Sequence, residues 1–164
     1  PLCAASDKMD IAAFIMFSDV ELAIACAREL IAKLPPCDIL LTAESKGIPL
    51  AYEMSRQMGV PYIVARKSVK VYTRNPIEVT VNSITTQHPQ KLYLGEDEVN
   101  MIRGKRIAVI DDVISTGESL TALDELVGKA GGKIVTQAAV LAEGDAASRT
   151  DIVFLEKLPL FFHD

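Results

Sequence analysis

The chain has 164 residues, 49% of them hydrophobic and 24% charged, and this length and apolar content predict a single domain over residues 1–164 with a sizeable core. The net charge of −5, without a dense basic tract, argues against nucleic acid as a partner, and no apolar run is long enough to cross a membrane. Cys3, Cys26 and Cys37 form no CxxC pair and the first residues lack the pattern of a signal peptide, so we expect reduced thiols and a cytoplasmic location.

The first half of the chain predicts a β-α-β unit. Ser18 and Glu21 have capping-box spacing with Ser18 as the cap, and the helix that follows should stop at Pro35 and Pro36. The next elements are a buried strand over 38–43, a helix over 48–58 and a strand over 62–65. Such a unit is right-handed and its strands are parallel.

The second half begins with a different pattern, which predicts a hairpin. Residues 77–84 alternate between apolar and polar, residues 91–94 can pair with them, and the polar stretch between them predicts a mobile loop. The remaining elements are a strand over 104–112, a helix over 118–130, and strands over 133–141 and 152–158. Strands that alternate with helices predict an α/β fold, with a mainly parallel twisted sheet flanked by helices.

Residues 106–120 are the most informative segment. Asp111 and Asp112 follow a short buried strand, at the end of the strand where open parallel sheets bind their ligands. Ser115, Thr116 and Gly117 then form a turn of small residues at a helix start, which is suited to phosphate. A carboxylate pair beside a phosphate site suits a ribose 5-phosphate. On this motif alone, a receiver domain, an aspartyl-phosphate hydrolase or plain surface carboxylates remain alternatives.

Two further segments suggest anion binding. Ser45, Lys46 and Gly47 lie at a helix start, where a Lys is unfavourable toward the helix dipole unless an anion lies between them. An ordinary turn with a solvated Lys is the alternative. A cationic cluster follows the next strand and consists of Arg66, Lys67 and Lys70, and a solvated rim would explain it equally well.

Together these motifs carry a family resemblance. Residues 109–119 resemble the phosphoribosyl pyrophosphate (PRPP) signature of type I phosphoribosyltransferases, while residues 45–47 and 66–70 are similar to segments of adenine phosphoribosyltransferases. The resemblance implies a type I phosphoribosyltransferase fold with a flexible β-hairpin over about 68–97 and a small N-terminal hood over about 1–18. It also implies that Asp111 and Asp112 are catalytic and hold the ribose hydroxyls. The 5-phosphate would bind at Val113, Ile114, Ser115, Thr116, Gly117, Glu118 and Ser119, where Glu118 replaces a second Gly of many relatives.

The resemblance assigns the remaining ligand groups as well. Pyrophosphate would bind at Glu44, Ser45, Lys46, Gly47, Arg66, Lys67 and Lys70, partly across the interface of a homodimer. Mg²⁺ would accompany PRPP through the oxygens of PRPP and water, with Asp111 as the one candidate protein ligand. The base would be a purine in a pocket built from Ile11, Phe14, Val113 and Ile114.

One departure from the family concerns the mobile loop. Adenine enzymes usually have Glu-Tyr where this chain has Thr86 and Gln87, and the loop around Thr85 looks more like that of small xanthine phosphoribosyltransferases. We therefore expect a purine phosphoribosyltransferase, adenine- or xanthine-like, that joins the phosphoribosyl group of PRPP to a purine. It should either turn over adenine slowly or prefer xanthine or another oxopurine. The alternative is a PRPP-binding regulatory domain without catalysis, although the chain has no winged-helix segment.

Overall fold

The structure is a computed structural model, and it describes residues 1–81 and 90–163. The strands are β1 (Leu2–Ser6), β2 (Met9–Ala12), β3 (Ile39–Ala43), β4 (Tyr62–Ala65), β5 (Ile77–Val81), β6 (Gln90–Leu94), β7 (Arg106–Ile114), β8 (Lys133–Glu143), β9 (Val153–Leu158) and β10 (Leu160–Phe162). The helices are α1 (Val20–Ile31), α2 (Ile48–Met58), α3 (Glu96–Ile102) and α4 (Glu118–Ala130), with a short 3₁₀ helix over Gly144–Ser148.

The central sheet has five strands in the order β4-β3-β7-β8-β9, and every neighbouring pair is parallel. The predicted α/β fold is thereby confirmed. Strand β7 begins and ends two residues later than predicted, and it continues to Ile114 because Val113 and Ile114 still pair with β8. Strand β8 likewise continues to Glu143.

The sheet separates two apolar clusters. In β7, Ile107 and Val109 pack on the side of α3, α4 and the β5–β6 hairpin, whereas Ala108 and Ile110 pack on the side of α1 and α2. All four are fully buried, since successive side chains of a strand point to opposite faces. The prediction of a strand buried on both faces is confirmed.

The cap of α1 differs from the prediction. Asp19, and not Ser18, is the N-cap, and its carboxylate accepts a hydrogen bond of 3.0 Å from the N–H of Leu22. Ser18 has φ of 68°, and the carboxylate one residue later is the group that reaches the third amide of the helix. The N-cap was therefore predicted one residue too early, and the cap is a single hydrogen bond rather than a capping box.

The N-terminal hood is a separate antiparallel sheet with the order β1-β2-β10. Its third strand comes from the carboxyl-terminal end of the chain, with Leu160 opposite Ile11. The sequence pattern did not predict this strand. The hairpin pairs β5 with β6, and the predicted loop residues Thr85, Thr86 and Gln87 lie outside the described residues. None of the helices in the described ranges has the length and apolar character needed to cross a membrane.

Candidate active site

The site lies where β3, β4, β7 and β8 end. Because these strands are parallel, their carboxyl ends meet at one edge of the sheet, and the loop after each strand is presented there. The loops carry the predicted pyrophosphate residues, the turn that follows the acidic pair of β7, and the segment after Glu143. Residues that are far apart in the sequence are thus brought together by the sheet.

The acidic pair makes the closest link between two of the predicted motifs. Asp112 is buried, with 2% of its surface exposed, and its Oδ2 lies 3.2 Å from Nζ of Lys46, whose side chain is 54% exposed. The N–H of Asp112 donates a hydrogen bond of 2.8 Å to Oδ1 of Asp111. A cation at the open rim of the site therefore faces a buried carboxylate.

Burial raises the pKa of the Asp111 carboxyl well above its usual range, and the neighbouring Asp112 carboxyl raises it further. The backbone N–H of Asp112 and the charge of Lys46 act in the opposite direction. Asp111 therefore keeps a proton more readily than an exposed carboxyl does. A cation brought into the site by a ligand would favour its ionised form.

Gly47 allows the loop after β3 to approach β7. A Cβ built on Gly47 would collide with Oγ1 of Thr42 and would lie 3.3 Å from both Cα and Oδ1 of Asp111. Thr42 is fully buried, so little room exists for any larger residue. A glycine at this position is what allows the backbone of one loop to lie against the acidic pair.

The carboxylate of Glu44 has partners within this chain. Its Oε2 accepts a hydrogen bond of 2.8 Å from the N–H of Lys67, and its Oε1 lies 3.4 Å from Nε of Arg66. The carboxylate thus ties the segment after β4 to the loop after β3. That Glu44 binds pyrophosphate stays a prediction.

Lys70 differs from Arg66 and Lys67 in its contacts. Arg66 and the backbone of Lys67 contact Glu44, whereas the N–H of Lys70 donates to Oγ1 of Thr73 at 3.1 Å. Lys70 and Arg66 both line a second cavity of about 310 Å³ between β4 and α3. Arg66 thus lies between Glu44, at the end of β3, and the cavity that Lys70 lines.

The predicted phosphate turn connects β7 to α4. Gly117 is the N-cap of α4 and has φ of 80°, a conformation that favours glycine. The turn encloses a small cavity of about 50 Å³, which is lined by Asp111, Val113, Ile114, Ser115, Thr116, Gly117, Glu118, Ser119 and Leu120. Backbone N–H groups at such a helix start suit a phosphate.

A larger cavity of about 750 Å³ opens beside this turn. The hood contributes Met9, Ile11 and Leu160 to one wall, and Ser115, Thr116, Glu118 and Ser119 form another. The end of β8 and the segment after it contribute Glu143, Gly144, Asp145, Ala146 and Arg149. A flat apolar ring would fit between the hood and these polar groups.

The predicted base-binding residues are only partly brought to this cavity. Ile11 lines it, and Val113 lines the smaller cavity of the turn. Ile114 also lines the smaller cavity, although its side chain is largely buried in the cluster on the side of α3 and α4. Phe14 packs against the cluster on the side of α1 and α2. The base-binding roles of these residues stay predictions.

Glu143 lines this cavity with an acidic side chain whose pKa is raised. Burial raises the pKa of its carboxyl, and the charge of Lys46 lowers it. The carboxylate is therefore close enough to interact electrostatically with Lys46, the cation that faces Asp112.

No group of three or more His, Cys, Asp and Glu side chains within residues 1–81 and 90–163 is arranged to hold a metal ion.

Comparison with known proteins identifies the family. The family model for the phosphoribosyl transferase domain matches residues 21–159. This chain belongs to the phosphoribosyltransferase family. The match extends from α1 through the end of β9, so it includes all the loops that meet at the site and excludes β1, β2 and β10 of the hood.

Curated relatives and solved structures within the family agree with this placement. The hypoxanthine/guanine phosphoribosyltransferase of Methanococcus voltae is 38% identical over 112 residues, which cover 68% of this chain and 56% of that protein. The protein of the same name from Methanosphaerula palustris is 32% identical over 135 residues, covering 82% and 70%. This chain thus spans little more than half the length of the Methanococcus protein.

The fold is shared with a solved member of the family. The crystal structure of adenine phosphoribosyltransferase from Thermoanaerobacter pseudethanolicus is 20% identical to this chain, with a TM-score of 0.76 and coverage of 87% of this chain and 84% of that one. The type I phosphoribosyltransferase fold predicted from the motifs is therefore confirmed.

Proposed function

We propose that the chain transfers the 5-phosphoribosyl group of PRPP to a purine base, giving a nucleoside monophosphate and pyrophosphate. The observation that carries the proposal is the 3.2 Å contact between Nζ of Lys46 and Oδ2 of Asp112. It joins the loop suited to pyrophosphate to the carboxylates suited to ribose hydroxyls, beside the phosphate turn. The printed names of the relatives, hypoxanthine/guanine phosphoribosyltransferase, support the same activity.

Each part of PRPP has a matching group in this proposal. Asp111 and Asp112 accept hydrogen bonds from the ribose hydroxyls, and the turn from Ser115 to Ser119 binds the 5-phosphate. The backbone of Ser45–Gly47, Lys46 and the Arg66–Lys67 segment bind pyrophosphate. Apart from its ion pair with Lys46, Oδ2 of Asp112 has no hydrogen-bond partner among the described residues. This oxygen can therefore accept a hydrogen bond from a ribose hydroxyl or bind a Mg²⁺ that is carried by PRPP.

The reaction is then favoured by electrostatics. When the bond between the ribose C1 and pyrophosphate breaks, negative charge grows on the leaving pyrophosphate and positive charge grows on the ribose. Lys46 and Arg66 stabilise the first charge, and the acidic pair stabilises the second, because these groups are already in position. Mg²⁺, bound with PRPP, would supply further charge to the leaving group.

The proposed base is an oxopurine, with guanine and hypoxanthine ahead of xanthine and adenine. Met9, Ile11 and Leu160 offer apolar surface for the ring. The carboxylate of Glu143 at the polar side of the cavity can accept hydrogen bonds from the N–H groups at one edge of guanine. Xanthine has a carbonyl oxygen where guanine has an amino group, so it would be repelled there.

We also propose a homodimer. Val69, Val71 and Tyr72, which follow the Arg66–Lys67 segment, are exposed apolar side chains, and a second copy that covers them would bring the two segments together. Sedimentation at micromolar concentration should show a dimer, and Tyr72→Asp should shift it toward monomer. A wild-type protein that sediments as a fully active monomer would contradict this proposal.

PRPP binding tests the site directly. Calorimetry with PRPP and Mg²⁺ should show binding to the wild-type chain and severely weakened binding to Asp112→Asn. The matched control is Asp124→Asn, since Asp124 is exposed on α4 and undergoes the same chemical change. Equal PRPP affinity for the wild type and Asp112→Asn would remove Asp112 from the binding site.

A further inference from the structure

We propose that Arg149, which lies outside the PRPP-like segment, is an additional ligand-binding cation for the 5-phosphate. This inference rests on the proposed function, because it presumes that a phosphoribosyl ligand occupies the site. Arg149 follows the 3₁₀ helix Gly144–Ser148, and its backbone N–H donates to the carbonyl of Ala146 at 3.1 Å. The connection between β8 and β9 thereby brings a cation to the β7–α4 turn.

The guanidinium is held in one orientation by Asp151. Nε donates to Oδ1 at 2.9 Å, and Nη2 donates to Oδ2 at 2.8 Å. This two-bond arrangement fixes the plane of the guanidinium and uses one edge of it. Nη1 lies on the other side of the group, away from Asp151.

Nη1 lies against the phosphate turn. A Cβ built on Gly117 would be 3.0 Å from Nη1 of Arg149, so the cation touches the residue that caps α4. Arg149 also lines the large cavity together with Ser115, Thr116 and Ser119, and its side chain is 33% exposed. A phosphate held by the turn would therefore be within reach of a fixed guanidinium at the cavity wall.

The electrostatic setting favours an anion between these groups. A guanidinium beside the first residue of a helix faces the positive end of the helix dipole. Asp151 balances its charge only on the far side, where the two hydrogen bonds are made. A phosphate between Nη1 and the amides of the turn would complement both, and a planar donor group suits phosphate oxygens better than a point charge does.

Three variants separate charge from packing. Arg149→Gln removes the charge but keeps most of the side chain, Arg149→Lys keeps the charge, and Arg103→Gln is the control. Arg103 follows α3 and lies beside the C-terminal end of α4, away from the phosphate turn. A Cβ built on Gly131 would be 3.6 Å from its Cγ. Calorimetry with ribose 5-phosphate and, separately, with pyrophosphate measures the two ends of the site, and thermal unfolding checks the fold.

Arg149→Gln should weaken ribose 5-phosphate binding by about 10- to 100-fold, the usual effect of one hydrogen bond to a charged group. Arg149→Lys should recover part of this loss. Arg103→Gln should bind ribose 5-phosphate as tightly as the wild type, and all three variants should keep the wild-type affinity for pyrophosphate. Wild-type affinity in Arg149→Gln, or an equal loss for both ligands together with a lowered melting temperature, would overturn the inference. A wild-type chain that binds no ribose 5-phosphate would overturn the proposed function and this inference with it.

Discussion

Replacing Gly47 by alanine tests the close contact between the loop after β3 and the acidic pair. The added Cβ would collide with Oγ1 of Thr42 and press on Cα and Oδ1 of Asp111 at 3.3 Å. Thr42 is fully buried, and Cα of Asp111 belongs to the central strand, so neither atom can move away freely. Overpacking of this kind costs about 1–3 kcal/mol of the free energy of unfolding.

Gly128→Ala is the matched control. Gly128 lies within α4, and a Cβ built there would have no heavy atom within 4 Å. Since alanine is the better helix former by about 1 kcal/mol, this variant should be more stable than the wild type. The same chemical change should therefore have opposite signs at the two positions.

Equilibrium unfolding in urea measures both variants at neutral pH. Gly47→Ala should lower the midpoint and Gly128→Ala should raise it, while the slope with denaturant stays the same because the exposed surface is unchanged. A Gly47→Ala variant as stable as the wild type would show that the loop after β3 and Thr42 can make room for a methyl group beside Asp111. Two variants that shift in the same direction would contradict the expected opposite signs.

Three further predictions concern single carboxylates. The pKa of the Asp111 carboxyl is raised, so the neutral carboxyl favours the folded state. The free energy of unfolding should therefore fall as the pH rises from about 4 toward the raised pKa. Asp111→Asn should abolish this fall. The pKa of Asp38 is well below its usual range because of its hydrogen bonds to Arg106, so Asp38→Asn should be destabilised near neutral pH, and this loss should shrink as the pH falls from about 4 toward the lowered pKa. Glu143→Gln should lower kcat/KM for guanine by about 10-fold more than for adenine, since a hydrogen bond to a charged group is lost.

Two kinds of measurement check these predictions. Urea midpoints from about pH 3 to about pH 9 measure the two stability effects, with Asp124→Asn as the common control. A wild-type pH slope in Asp111→Asn, or a loss in Asp38→Asn that is equal at all pH values, would contradict them. For Glu143→Gln, equal losses of kcat/KM with guanine and with adenine would mean that the carboxylate does not discriminate between the two bases.

The elements that the sequence predicted well are those with strong local patterns. The buried strand before Asp111, the turn at Gly117 and the helix after it form a continuous segment, so apolar runs and glycines were enough to place them. Helix α3 was missed because it has only seven residues, of which Ile102 is buried, too few for a periodic pattern. Its acidic first turn, Glu96–Glu98, was the available signal.

The part of the site that was missed depends on contacts between distant segments. Leu160 reaches the cavity because β10 pairs with β2, and nothing near Leu160 in the sequence indicates that partner. Arg149 reaches the turn because Asp151 and the 3₁₀ helix hold it there. Phe14 was assigned to the base for its apolar surface, whereas it lies beyond the end of β2 and packs against the cluster on the side of α1 and α2.

Release of pyrophosphate is the most direct test of the proposed activity. The chain should be incubated with PRPP, Mg²⁺ and, in turn, guanine, hypoxanthine, xanthine and adenine. Pyrophosphate release should need both PRPP and a purine, should be fastest with guanine or hypoxanthine, and should be lost in Asp112→Asn but kept in Asp124→Asn. PRPP binding without pyrophosphate release for any purine would contradict the proposed transferase activity.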